Sequence, residues 1–351
     1  MEDLVIIGGG VAGLSALNAC LDKHISPLLI EASTIATPKM CGEFLAPPVI
    51  SQFKQWEMDS VQSIKQVRFH CGDKVLSSVF PNAAGAFSRQ DAERALVARA
   101  KSYGGRIMEQ ALIKTLIPAT QHTPYVLHLQ SGQRIDARAV MFATGRFLQS
   151  PIKPGYSPFI GFKTHIPSII QSETLLMFGF TGGYLGIVPI SSTLSNLTAL
   201  VHKNVIQKSG SSPLFLEQFI QAHGADLNRL LPWEASQCLD WLQGDAPVFG
   251  LKNRPNWPHA YSIGDAFASL HPAIGYGFAH SVTSACLAVD YYLKRDPLGY
   301  HNHLTRALRS KRLIARGLHH LLQRPRLSRA VSPLLETHDG MRRRLFKILD
   351  Y

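Results

Sequence analysis

A chain of 351 residues, 46% hydrophobic and 17% charged, holds enough apolar material for a substantial core; this excludes a disordered or fibrous protein and suits one large or two interleaved domains. The formal net charge of +12 favours anionic partners such as nucleic acid, acidic lipid or phosphorylated cofactors, yet fourteen Lys or Arg against four Asp or Glu lie from Lys294 onward, so an excess of ten belongs to the last sixth of the chain. Five scattered cysteines (Cys20, Cys41, Cys71, Cys238 and Cys286), odd in number and without paired spacing, argue against a disulfide framework or a zinc site and fit a reducing cytosol.

The acidic start Met1-Glu2-Asp3 runs directly into an apolar segment, which predicts no secretory leader. Leu4 to Ile7 suits a buried parallel strand. Gly8, Gly10 and Gly13 follow as G-x-G-x-x-G, and a helix rich in small residues is predicted from about Val11 to Leu21. Gly8 permits the tight turn, Gly10 lets backbone approach a pyrophosphate, and Gly13 lets helix and strand pack closely. The helix N-terminus, at Val11 and Ala12, offers unpaired N–H groups to phosphate. A second strand, PLLIEAS, reaches Glu31 and Ala32; an acid eighteen residues after Gly13 can bind the hydroxyls of an adenosine ribose. The unit predicts dinucleotide binding without separating NAD from FAD.

Residues 37–50, TPKMCGEFLAPPVI, place a thiol and an acid in an apolar loop. FSRQDAERALVARAKSYGGRIME then reads as a Ser-Arg turn, an amphipathic helix with Leu96 and Ala100 on one face, and a strand. DARAVMFATGRF is a strand ending in Ala143-Thr144-Gly145. Residues 157–202 alternate as antiparallel sheet with glycine turns, and residues 213–243 show helical spacing behind Pro213. AYSIGDAFASLHPAIGYGFAHSVTSACLAVDYYL predicts a strand ending at Gly264-Asp265, a loop, and a helix from about Gly277 to Leu293. Uncharged stretches at 174–201 and 266–289 lack the about 20 consistently apolar residues that a membrane span needs. Beyond about His301 the chain is rich in Arg and Leu. Apolar Leu304, Leu308, Ile314, Leu318 and Leu322 share one helical face, and Pro325 and Pro333 are expected to break the segment into two or three helices.

Together, the glycine turn and the GD…P-x-x-G-x-G passage resemble the p-hydroxybenzoate hydroxylase and geranylgeranyl reductase superfamily of FAD-dependent oxidoreductases. The resemblance touches residues 4–50, 87–110, 135–165 and 255–293. It implies an α/β chain, α+β overall: a glutathione-reductase-like Rossmann FAD domain, an antiparallel substrate-domain sheet and C-terminal helices. The FAD domain would be discontinuous over 1–65, 86–150 and 255–295, the substrate domain would take 66–85 and 151–254, and basic helices would take 296–351. It further implies that Gly264 and Asp265 bind the ribityl and pyrophosphate region and that Arg89 contacts the phosphates. Ala143, Thr144 and Gly145 would pass under the adenine side. Pro272, Gly275, Tyr276 and Gly277, with Cys41 and Gly42, would lie beside the isoalloxazine ring.

The signature of the reductase branch lacks its Trp and Pro in MFGFTGGYLG, no Trp-x-Trp-x-Ile-Pro halogenase signature occurs, and CGEFLAP, GFKTH and GGYLGIVP look closer to a branch thought to contain monooxygenases of phenolic or polyketide lipids. The expected reaction is hydroxylation of a hydrophobic aromatic or polyketide-like molecule through a flavin hydroperoxide; a flavin reductase of an unsaturated lipid and a non-catalytic nucleotide-binding scaffold are the alternatives. Because Ala-Thr-Gly-Arg replaces the hydroxylases' Asp-Gly and no second G-x-G-x-x-G occurs, NAD(P)H enters as a transient electron donor, or electrons come from another protein.

Catalytic candidates are Cys41, Lys163, His165 and His271. Cys41 reads as a pocket-lining thiol or as a small buried residue; Glu43 as a proton acceptor, a helix cap or a surface acid. Lys163 and His165 share a strand face, where Lys163 could pair with an anionic substrate, stabilise the hydroperoxide or form a cross-sheet salt bridge. His271, before Pro272, could act as general acid or base or lie at the surface. No metal-ligand spacing is present. The basic C-terminus packs on the FAD domain and adds peripheral contact with acidic lipid at the inner face of a membrane; no nucleic-acid motif accompanies its charge. A cytoplasmic location is expected, and the oligomeric state is not legible.

Overall fold

The computed structural model describes residues 1–58, 60–71, 74–145, 157–168, 173–209, 240–252 and 257–351. In chain order its first half comprises β1 (Glu2–Ile7), α1 (Val11–Leu21), β2 (Leu28–Ile30), β3 (Phe44–Leu45), α2 (Pro47–Gln55), β4 (Gln62–Cys71), β5 (Lys74–Ala86), α3 (Arg89–Ser102), β6 (Arg106–Met108), β7 (Ile113–Ile117), β8 (Tyr125–Leu129) and β9 (Arg134–Phe142). The second half adds β10 (Phe159–Pro167), β11 (Thr174–Phe180), β12 (Gly183–Pro189), β13 (Leu194–His202), α4 (Lys203–Ser209), β14 (Leu242–Asp245), β15 (Gly250–Leu251), β16 (Ala260–Ser262) and β17 (Ala268–Ser269). Four helices close the chain: α5 (Gly277–Leu293), α6 (Pro297–Leu322), α7 (Pro325–Thr337) and α8 (Asp339–Ile348).

The first sheet runs β6-β2-β1-β9-β8-β7, with β16 also on β9. β6, β2, β1, β9 and β16 pair in parallel, as runs such as Leu-Val-Ile-Ile buried on both faces require. Helix α1 is buried continuously from Val11 to Cys20 because it lies between β1, α3 and α5, and its small residues allow that approach. The polar residue inside it is satisfied. Asn18 donates to the Leu14 and Leu96 carbonyls at 2.9 and 3.0 Å and accepts from Arg99.

The second sheet runs β14-β10-β13-β12-β11-β4-β5-β3 and is antiparallel except where β4 meets β11. Strand alternation gives it two apolar faces. Phe162, Ile166, Phe178, Leu185, Ile187 and Leu197 form a cluster of their own on one face, whereas Met177, Tyr184, Val188 and Leu200 join the main core on the other.

Two expectations are corrected. Of the helical stretch expected over 213–243, residues 213–239 lie outside the described residues, and Leu242–Asp245 is a strand paired with β10; its Gly244 and the neighbouring edge favour extension over continuing a helix. Pro333 lies inside α7 rather than ending it, while Pro325 opens that helix and the next break falls after Thr337. Pro at the start of a helix gives up an N–H that would be unpaired there anyway. Leu304, Leu308, Ala315 and Leu322 of α6 are buried, so the apolar face packs inward. Among the described residues, no helix is long and apolar enough to cross a membrane.

Candidate functional site

A cavity of about 940 Å³ runs between the two sheets. One part is walled by Gly8, Gly10, Val11, Ala12, Glu31, Ala32, Arg89, Ala143, Thr144, Gly145 and Asp265; another by Cys41, Gly42, Pro272, Gly275 and Gly277; a third by apolar residues of the second sheet, including Met177, Tyr184 and Leu200. Gly13, Gly264 and Tyr276 do not line it.

The local chemistry explains each placement. Gly8 has a φ of 109°, and a Cβ there would come within 2.4 Å of the Ala143 carbonyl oxygen. A Cβ on Gly13 would strike the Gly8 carbonyl at 1.8 Å, so Gly13 supports the turn from behind. Gly264 is clamped from both sides by α5: its N–H donates to Ser284 Oγ at 2.9 Å, and its carbonyl accepts from His280 Nε2 at 2.9 Å. The Tyr276 ring turns away, its hydroxyl donating to Asp350 at 2.6 Å.

The residues fit a dinucleotide. At Gly42, Gly145 and Gly277 an added Cβ would meet nothing within 4 Å, so all three leave open cavity where side chains would intrude. Thr144 Oγ1 is buried at the cavity wall without a hydrogen-bond partner. At Gly10 a Cβ would face the Arg89 guanidinium at 3.6 Å, which puts that cation beside the glycine turn. Arg89 and Lys39 both pair with the buried Glu93 carboxylate, leaving the trio one positive charge. Glu31 accepts from the Gly9 N–H at 2.6 Å and from both the N–H and hydroxyl of Ser33. Burial works to raise its carboxyl, but these bonds and the Lys39 charge hold it below the ordinary carboxylate range.

Glu43 departs most from expectation. It is 1% exposed, so it is no surface acid, and it does not cap the following helix, α2, which has no side-chain cap. Its carboxylate accepts from the Arg89 N–H at 2.9 Å and from His165 Nε2 at 2.7 Å, and forms a salt bridge with Lys163. Burial works to raise this carboxyl; the His165 bond, the charge and hydrogen bond of Lys163 and the Arg89 N–H outweigh it and hold the carboxyl low. The backbone at Glu43 is left-handed, with a φ of 54°, a conformation that non-glycine residues hold only when surroundings fix it. Lys163 and His165 therefore lie on one strand face, as the spacing predicts, but they point at Glu43 and do not line the cavity. The salt bridge takes Lys163 away from the role of substrate anchor.

Cys41 lines the cavity, and its carbonyl accepts from the buried Asn196 amide at 3.2 Å. Burial pushes its thiol up, which disfavours a nucleophilic thiolate. His271 packs its ring against both Phe249 and His319, at 4.2 and 4.1 Å, outside the cavity lining. Burial, with the charges of His320 and Arg316, lowers it to about 4, so it is a poor proton acceptor at neutral pH. Sequence reading did not single out Lys39, Tyr184, Phe346, Leu349 or Tyr351; only the apolar inner face of the basic tail gave a signal for the last three.

No protein-family model matches the chain, and no curated protein matches it in sequence. Solved structures do match it. The flavin-dependent brominase Bmp2 superposes with a TM-score of 0.81 at 15% identity, over 99% of this chain and 93% of that one. PqsL, a probable FAD-dependent monooxygenase from Pseudomonas aeruginosa, gives 0.72 at 13% over the whole of both chains, and its complex with 2-aminobenzoylacetate matches equally. A geranylgeranyl bacteriochlorophyll reductase-like protein from Thermoplasma acidophilum gives 0.70 at 16%, over 99% and 91%. The chain has the fold of these proteins.

Proposed function

We propose that this chain is an FAD-dependent monooxygenase that hydroxylates a hydrophobic, aromatic or polyketide-like molecule. One observation carries the reading: a single cavity joins the glycine turn after β1 to an apolar sheet face. Gly8, Gly10 and the N-terminus of α1 suit the pyrophosphate, with Arg89 supplying positive charge beside Gly10. Glu31 retains lone pairs for ribose hydroxyls, and Asp265, on the same cavity wall, suits the ribityl chain. Gly42 and Gly277 leave room for a flat ring system, and the N-terminus of α5 suits negative charge on it.

When bound and reduced, FAD supplies the electrons and activates dioxygen. The chain's part is to hold, orient and dry the reactants. Met177, Val188 and Leu200 exclude water from the substrate side, and the Glu43 network fixes the loop that carries Cys41 and Gly42. NAD(P)H serves as a transient donor, or a partner protein supplies the electrons. The exposed arginines of α6 and α7, among them Arg309, Arg316 and Arg326, support peripheral contact with anionic lipid; co-sedimentation with vesicles containing phosphatidylserine tests it, and equal binding to neutral vesicles would rule it out.

The decisive test begins with absorbance in the flavin bands. A chain that stays colourless with added FAD would support the scaffold reading instead. Asp265→Ala should weaken FAD retention. Photoreduced protein mixed with labelled dioxygen and a panel of phenolic and 2-aminobenzoyl compounds should then yield product carrying one labelled oxygen. A saturated product without label would identify a reductase, and a halide-dependent product a halogenase.

A further inference from the structure

Residues 346–351 of the basic segment turn toward the interior. Phe346, Leu349 and Tyr351 line the cavity, although their neighbours Arg343, Arg344 and Lys347 face solvent. They meet two rings from distant parts of the chain, Phe44 of β3 and Phe80 of β5, which line the same cavity. Tyr351 stacks on Phe80 with centroids 5.1 Å apart and planes at 23°, and Phe346 meets Phe80 edge-on at 5.3 Å and 74°. Phe44 completes the group at 5.9 Å from Phe80 and 6.0 Å from Tyr351.

We propose that Phe44, Phe80, Phe346, Leu349 and Tyr351 form a binding subsite for a flat aromatic ring of the substrate. Mixed stacked and edge-on ring faces attract another ring through its quadrupole, which an alkyl chain lacks. Elsewhere the sheet side of the cavity sets single rings, Phe69 and Tyr184, among aliphatic Val67, Leu175, Val188 and Leu200, so the cluster of rings is local to this group. The subsite has one polar side-chain atom, the Tyr351 hydroxyl, and its proton is committed to the Ile274 carbonyl at 2.8 Å.

The wall is also pinned. The Tyr351 N–H donates to the Phe346 carbonyl at 2.9 Å. Asp350 accepts from the Tyr276 hydroxyl at 2.6 Å and pairs with the largely buried Lys311 at 3.1 Å. A shape held at three points before binding selects for rigid ligands because little ordering remains to oppose association. Through Ile274 and Tyr276 the wall is tied to the turn that precedes Gly277. That this turn borders a flavin rests on the proposed function; ring binding at the subsite does not.

The test compares 2-naphthol with 1-decanol, which have equal carbon counts, by calorimetry on the full chain as purified, with and without added FAD. The subsite predicts naphthol binding about tenfold tighter than decanol. Phe346→Ala and Tyr351→Ala should each weaken naphthol about five- to tenfold and decanol less than about twofold, while Tyr351→Phe, which keeps the ring, should hold naphthol within about twofold. Equal affinity for the two probes, no naphthol binding, or parallel losses of both in the alanine variants would overturn the proposal. The ring preference and its loss in Phe346→Ala, found in a chain that never takes up FAD, would uphold the subsite and sink the flavoenzyme reading. The reverse pattern would sink the subsite alone.

Discussion

Replacing the Glu43 carboxylate by an amide would strand the Lys163 ammonium, whose side chain is only 10% exposed. Breaking one side of such a pair costs about 3 kcal/mol, so Glu43→Gln should lower the urea midpoint at pH 7 accordingly, and adding Lys163→Met should recover part of the loss. The pH dependence follows from the direction of the shift. The folded carboxyl sits below its ordinary pKa of about 4.3, so its stabilisation is complete above that value and is lost as pH falls through the lower folded one. The acid limb of the stability curve should therefore be steeper in the wild type than in Glu43→Gln. His280 behaves differently. Burial lowers it to about 4 from an ordinary 6.5. Between these values the unfolded chain takes the proton first, and stability declines as pH falls. Its ring resonances should not titrate above about pH 5 in an NMR series; a midpoint near 6.5 would contradict the buried bond to Gly264. Neither role was legible in the sequence. An acid between Gly42 and Phe44 gives no hint that its partners lie 120 and 122 residues away, nor that its backbone is left-handed.

At the scale of elements, the glycines divide into two kinds that a motif cannot separate. Gly13→Ala drives a methyl into the Gly8 carbonyl and should cost about 3 kcal/mol, read as a fall in thermal midpoint. Gly42→Val places its side chain in open cavity, so the thermal midpoint without FAD should stay within about 2 °C while FAD retention weakens on the order of tenfold, a loss of about 1.4 kcal/mol. An unchanged FAD affinity would remove Gly42 from the cofactor site. The elements themselves were largely legible where pattern and context agree: α1 and α5 begin and end where the glycine turn, the P-x-x-G-x-G passage and the apolar runs place them. Reading failed where tertiary contact overrides local preference. Leu242–Asp245 is extended because β10 offers it an edge, and Pro333 is accommodated within α7. The tail was legible as basic and amphipathic, but not as part of a cavity wall, because Phe346 and Tyr351 acquire that role only through Phe44 and Phe80.

For the whole molecule, a ligand held between two sheets should stabilise both together. FAD at about 100 times its dissociation constant should add about 2.7 kcal/mol to unfolding, seen as a higher urea midpoint with a single transition; a split transition would mean that it touches one sheet alone. The parallel pairing of β4 with β11 has a further consequence, for synthesis. Gln66 and Thr174 are bonded across 108 residues, and β4 lies beside β11 with Thr174 opposite Gln66. At roughly 5–20 residues per second, a ribosome completes β11 on the order of 5 to 20 s after β4. The β4–β5 hairpin can pair at once, but the outer edge of β4, bearing Val67 and Phe69, must wait unpaired while the intervening chain emerges. Chains arrested before Thr174 should therefore be cut by protease within β4 and held by chaperones, and should lose both behaviours once Phe180 has cleared the exit tunnel.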